Sequence, residues 1–205
     1  PVPEVTPSYK IDTLEGNTWV IDGFPSSVSS PIDGTTYQYV AACIATTLLY
    51  LHNVKTHTME DLIAFTDLLD AFVVEKHGRH LVYIRLDQAP EQRTDQLRVR
   101  LAQKSRILQL AGKDAHVNEI EARQKPLTSA ALMMMARSGD GPGYLLHARQ
   151  HAAYLANRMP RPRGTTCRLH AFTKRPVDAG EEPPMLIFGT ELSVIESEAN
   201  RWLNK

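Results

Sequence analysis

The stretch from Thr58 to Gly78 has room for only one regular structure. Leu62, Phe65, Leu69, Phe72 and Val73 recur at helical spacing. Thr58 stands in front of them with Asp61 three residues on, a capping-box-like pair. Gly78 accepts the left-handed conformation that stops a helix. A helix of this length needs a core to lie on. Apolar residues make up 42% of the 205 and charged residues 22%, which suits a folded domain and excludes a disordered or collagen-like chain.

The neighbouring segments supply other elements. His80 to Leu86 is rich in β-formers and reads as a strand. Residues 8–22 read as a hairpin with its turn at Glu15-Gly16-Asn17. The uncharged run from Gly34 to Val54 is long enough to span a bilayer, but its threonines, Gln38, His52 and Asn53 favour a buried helix from Thr35 to His52. Residues 91–111 read as one helix, His116 to Arg123 and Leu127 to Arg137 as two shorter ones, and Tyr144 to Arg158 as another. Thr166 to Thr173 and Met185 to Phe188 have strand composition, and Thr190 opens a last helix. This order does not alternate as βαβ units do. It predicts one α+β domain over 1–205, helix-rich, with a small and mostly antiparallel sheet. A subregion from about 144 to 205 follows the Gly/Pro loop at 139–143. The chain starts at Pro1 without a Met, as expected of a piece of a longer chain.

Charge is segregated. Lys plus Arg and Asp plus Glu both number 23, so the whole chain is neutral and is not a uniformly basic nucleic-acid binder. Residues 1–70 nevertheless carry −7, residues 71–177 carry +11 and residues 178–205 carry −4. Such a chain either presents a polyanion-binding face or folds its acidic ends over its basic middle. The basic candidates are Arg149, Arg158, Arg161, Arg163, Arg168, Lys174 and Arg175, in a stretch without a carboxylate. Arginines on a rigid Pro-rich connector suit phosphate contacts, and equally an acidic protein partner.

Two cysteines cannot build a disulfide framework, so a reducing, cytoplasmic compartment fits. His147 and His151 share a helix face, and Cys167 and His170 follow three residues apart. These are zinc-ligand types, but on an extended strand residues three apart point to opposite faces. The alternative is two surface histidines beside a buried thiol, with no cofactor at all. Cys43 lacks the cationic neighbours that activate a thiol and reads as structural. Glu196-Ser197-Glu198 and Met133-Met134-Met135 read as solvent-facing carboxylates and helix core.

Glu15 to Gly23, the helix ending Glu75-Lys76-His77-Gly78, the strand His80 to Arg85, the charged helix Pro90 to Leu110 and the segment Gly112 to Arg123 form a longer pattern. It resembles the amino-terminal domains of type IV secretion and conjugation ATPases of the DotO/IcmB kind. The helix from Thr35 to His52 is extra to that pattern, and Gly112-Lys113-Asp114 does not complete a phosphate-binding loop. The resemblance implies a non-catalytic domain that docks a motor onto membrane-complex subunits, peripheral at the inner face of a membrane. Three functions thus stand side by side: a docking domain, a nucleic-acid or polyanion-binding module, and a zinc-dependent protein.

Overall fold

A computed structural model describes residues 18–86, 95–110, 118–160 and 166–175. Its centre is a five-stranded sheet in the order β3-β2-β1-β4-β5. Strands β1 (Thr18–Pro25), β2 (Tyr37–Cys43) and β3 (Leu49–Val54) form an antiparallel meander. Strands β4 (Tyr83–Leu86) and β5 (Ile107–Leu110) extend it on the other side of β1, each parallel to its neighbour. The fold is α+β, and its sheet is mixed.

Helices cover both faces. On one side lie α1 (Met59–His77), α2 (Asp95–Gln103) and α5 (Arg168–Thr173). They enclose the larger core, in which Trp19, Ile21, Tyr39, Ala41 and Ile84 of the sheet meet Phe65, Leu69, Val73, Leu97, Leu101 and Phe172. Aromatic rings interlock there: Tyr39 stacks on Phe65 at 5.2 Å and Trp19 meets Phe172 edge-on at 5.7 Å. On the other side lie α3 (Asn118–Ser138) and α4 (Leu145–Arg158), preceded by a 3-10 turn at Pro142–Tyr144. They cover Val20, Val40, Ala42 and Leu49 with Ile120, Leu127, Ala152 and Ala153. The small alanines of α4 let that helix approach the sheet closely.

α1 follows the expected chemistry. The Thr58 hydroxyl accepts from the Asp61 amide, the Asp61 carboxylate accepts from the Thr58 amide, and Gly78 caps the end at φ 72°. Four expectations are corrected. The segment from Thr35 to His52 is not a helix but the hairpin β2–β3, reversing at Thr47 with φ 61°. Residues 91–111 do not form one helix: α2 ends at Gln103, Ser105 turns the chain at φ 58°, and β5 follows. α3 is a single helix running through Pro126, because Ile120, Leu127, Ala131 and Met135 lie buried along one stripe. The segment 166–173 is not a strand; it holds α5. The hairpin turn at 15–17, the strand at 185–188 and the final helix fall outside the described residues.

The open edge of β3 is closed by side chains. Asn157 of α4 donates to the Leu49 carbonyl at 2.7 Å and accepts from the Leu49 amide at 3.0 Å. This occupies backbone groups that would otherwise template another strand. No helix among the described residues is long and apolar enough to cross a membrane.

Candidate functional site

Side chains alternate along β1. Trp19 and Ile21 enter the aromatic core, while Val20 faces α3 and α4. The same alternation sends Asp22 and Phe24 toward α3 and α4. β1 is parallel to β4 over Thr18 to Ile21, and Ile21 pairs with Leu86 at the end of β4. Asp22 is therefore the first residue of β1 past the parallel pairing. Crevices outside the carboxyl ends of parallel strands are where α/β sheets bind ligands.

The half-buried Asp22 carboxylate is held at both oxygens. Oδ1 accepts from the Gly23 amide at 2.7 Å and Oδ2 accepts from Gln124 Nε2 of α3 at 2.6 Å. The glycine after it leaves room for the Tyr37 ring end, since a Cβ at Gly23 would lie 1.6 Å from the Tyr37 hydroxyl oxygen and force that side chain to move. The Gln124 carbonyl oxygen accepts from Arg149 Nη2 at 3.0 Å. Arg149 Nη1 donates to the Thr128 hydroxyl, and its Nε donates to Gln38 Oε1 at 2.9 Å. Gln38 in turn donates to Asn53 Oδ1 at 2.7 Å and to the Leu146 carbonyl at 2.9 Å. The guanidinium also lies 3.5 Å from the centroid of the Phe24 ring. A polar chain thus runs from inside the sheet to Asp22.

Arg149 is 0% exposed, so it is not part of a surface cation patch, contrary to its place among the basic candidates. Its burial lowers the guanidinium to about 10, opposed by the negative charge of Asp22. It remains a cation at neutral pH, and the hydrogen bonds it makes go to uncharged side chains. Glu121 is exposed on α3 three residues before Gln124, and i and i+3 positions share a helix face. In the sequence Asp87 directly follows Leu86; it lies outside the described residues. Carboxylates of this kind are the usual ligands of Mg²⁺ and Mn²⁺. Among the described residues alone, no group of three or more His, Cys, Asp or Glu is assembled to hold a metal ion.

The zinc candidates are found apart in role. His147 Nε2 lies 3.0 Å from the Ser30 hydroxyl and 3.5 Å from an Asp33 oxygen. Serine, histidine and aspartate meet here without forming a catalytic triad, because both partners sit on one ring nitrogen. Partial burial pushes Asp33 up, but hydrogen bonds from Thr35 and Ser30 and the His147 charge bring it down to about 2. The cluster ties the loop between β1 and β2 to α4. His151 stacks on Tyr154. Cys167 caps α5, its sulfur accepting from the His170 amide at 3.3 Å, which accounts for the three-residue spacing.

The remaining basic candidates divide. Arg168 is half-buried and donates to the Ala156 carbonyl at 2.7 Å and the Thr47 hydroxyl at 3.2 Å. Arg158 lies over the Tyr154 ring, with 3.6 Å to its centroid. Lys174 and Arg175 are exposed, and Arg161 and Arg163 fall outside the described residues.

Sequence reasoning missed Asp22, Gln124 and Glu121. A signal was there: Trp19-Val20-Ile21 and Val82-Tyr83-Ile84-Arg85-Leu86 are β-rich runs that each end in an aspartate.

No family model matches this chain, and no curated protein matches it. Nothing in those comparisons bears on the secretion-ATPase resemblance. Among solved structures, the chain is similar to one in the cryo-EM structure of the simian T-cell lymphotropic virus intasome in complex with PP2A regulatory subunit B56 gamma. The TM-score is 0.61 at 15% identity, covering 84% of this chain and 58% of that one. The likeness is one of fold, and the chain spans less than two thirds of the neighbour's length.

Proposed function

We propose that this chain is a DNA-processing domain of the kind found in intasomes, carrying out divalent-metal-dependent phosphoryl transfer on nucleic acid. The observation that carries the reading is the placement of Asp22. It stands at the carboxyl end of the central parallel strand pair, held by Gln124 one turn along α3 from Glu121. The sequence continues past Leu86 with a further carboxylate, Asp87, which lies outside the described residues. A chain of similar fold is found in a structure of a viral intasome complex, which supports the reading. Asp22 and Glu121 would hold a divalent ion, which would supply Lewis-acid stabilisation of the charge that develops on a phosphodiester. The exposed cations Lys174 and Arg175, with Arg161 and Arg163, contribute phosphate contacts that place the DNA without reading its sequence.

A protein partner belongs to the same reading, since the neighbour is a component of an assembly. The docking domain of a secretion motor has only the hydrophobic pattern of Leu14 to Arg123 behind it. The segment extra to that pattern, Thr35 to His52, forms two of the five strands.

The test is cleavage or joining of a labelled DNA duplex by the purified chain with Mg²⁺ or Mn²⁺. The proposal expects product that disappears with chelator and falls at least about a thousandfold in Asp22→Asn and Glu121→Gln. Activity retained in Asp22→Asn contradicts it.

A further inference from the structure

Arg149 is a fully buried cation with three hydrogen bonds to uncharged groups, Gln38, Thr128 and Gln124. Burying a guanidinium is costly, and a carboxylate directly against it is the ordinary compensation. Here Gln124 stands between the cation and Asp22. Its carbonyl oxygen accepts a hydrogen bond from Arg149 Nη2 and its amide donates to Asp22 Oδ2. The side-chain amide is thereby fixed in one orientation, because the reverse would aim its NH₂ at the guanidinium and its oxygen at the carboxylate. The Asp22 carboxylate inherits that orientation.

We infer that Arg149 and Gln124 are positioning residues for Asp22: Arg149 locks the Gln124 amide, and Gln124 locks the carboxylate for metal. This inference rests on the proposed function of the same site. A direct Arg149–Asp22 pair would satisfy the carboxylate and compete with a metal ion for it. The interposed amide gives Oδ2 a single neutral hydrogen bond in place of a direct ion pair with Arg149. Partners behind a metal-ligating side chain typically contribute 10–100-fold to metal affinity. Thr128 and Gln38 hold the guanidinium plane, and Phe24 covers its face.

The test compares Gln124→Met with Asp22→Asn in the full chain. Mn²⁺ affinity is read by calorimetric titration, DNA cleavage by kcat and KM, and folding by thermal melting. Gln124 is half-buried on a helix, so Met replaces it without opening a void. The inference expects Gln124→Met to stay cooperatively folded but melt somewhat below the wild type, because Arg149 Nη2 loses an acceptor, to bind Mn²⁺ about 10–100-fold more weakly, and to lose kcat with little change in KM for DNA. Arg149→Lys, which keeps the charge but not the fork, shows the same pattern more weakly. Wild-type Mn²⁺ affinity and kcat in Gln124→Met, with both lost in Asp22→Asn, overturn the positioning role and leave the functional reading intact. Mn²⁺ binding unaltered by Asp22→Asn overturns both.

Discussion

Two arginines are buried among the described residues, and they are buried differently. Arg106, just before β5, is 6% exposed and reaches two carboxylates of α1: Asp67 at 2.6 Å and Asp70 at 3.4 Å. Lys104 joins Asp67 at 2.5 Å, and Asp70 also accepts from the Leu81 amide at 2.6 Å and from His80 at 3.0 Å. The charges cancel where they stand, and what remains is a clamp joining α1 to the start of β4 and β5. Arg149, on the opposite face, has hydrogen-bond partners that carry no charge, and its field reaches Asp22 across an amide. The first cluster is closed and structural. The second runs through uncharged amides to a half-buried carboxylate, Asp22, at the end of the β1–β4 pairing.

The comparison breaks most visibly in stability. Removing one partner of a buried ion pair leaves a charge stranded, at about 3–5 kcal/mol. Arg106→Met is expected to approach that range, because Asp70 is only 16% exposed and keeps its charge. Urea unfolding measures it, and a loss below about 1 kcal/mol would mean that Asp67 and Asp70 are satisfied without Arg106.

Arg149→Met removes a buried cation together with its desolvation cost. It strands hydrogen-bonding groups on Gln38, Gln124 and Thr128, each at about 1–3 kcal/mol, partly offset by the lost burial of charge. The expected loss of stability is therefore smaller than for Arg106→Met, at about 1–3 kcal/mol, while Mn²⁺ binding falls further. The reverse ranking in urea would erase the distinction between the clusters.

Acid sharpens it. Partial burial raises Asp67 and Asp70, but hydrogen bonds and the Arg106 charge outweigh burial and hold both below the ordinary aspartate value of 3.8. A depressed carboxylate stabilises the fold above its unfolded pKa, and that contribution is lost as pH falls through the folded value. Urea midpoints should thus decline below 3.8, and Arg106→Met should flatten that part of the profile. Thr58→Ala, remote from both arginines, sets the scale of an ordinary cap at about 1 kcal/mol by the same measurement, with Mn²⁺ binding unchanged.

How much of this was legible in the residues follows from turn chemistry. α1 was readable because Thr58, Asp61, Gly78 and the apolar spacing all agree. The hairpin β2–β3 and strand β5 were not, for one shared reason. Each begins or reverses at a non-glycine residue with positive φ, Thr47 or Ser105, where β-branched and ordinary residues are rarely found. Without Gly, Asn or Pro to mark a break, Tyr39 to Leu51 reads as a continuous apolar helix and Lys104-Ser105 as its charged surface. The candidate site was hidden by distance in sequence. Asp22, Gln124 and Arg149 come from β1, α3 and α4 and meet only after the sheet is assembled. Arg149 looked like one more cation of a basic run, and burial alone distinguishes it from Arg175.

The claim that the two clusters differ in function is tested most directly by amide shifts in a two-dimensional NMR titration with Mg²⁺. The account predicts shifts gathered at Gly23, Glu121 and Gln124, with Thr66, Asp67 and Asp70 of α1 unmoved, and their disappearance in Asp22→Asn. Shifts centred on Asp67 and Asp70, or a titration indifferent to Asp22, would contradict it.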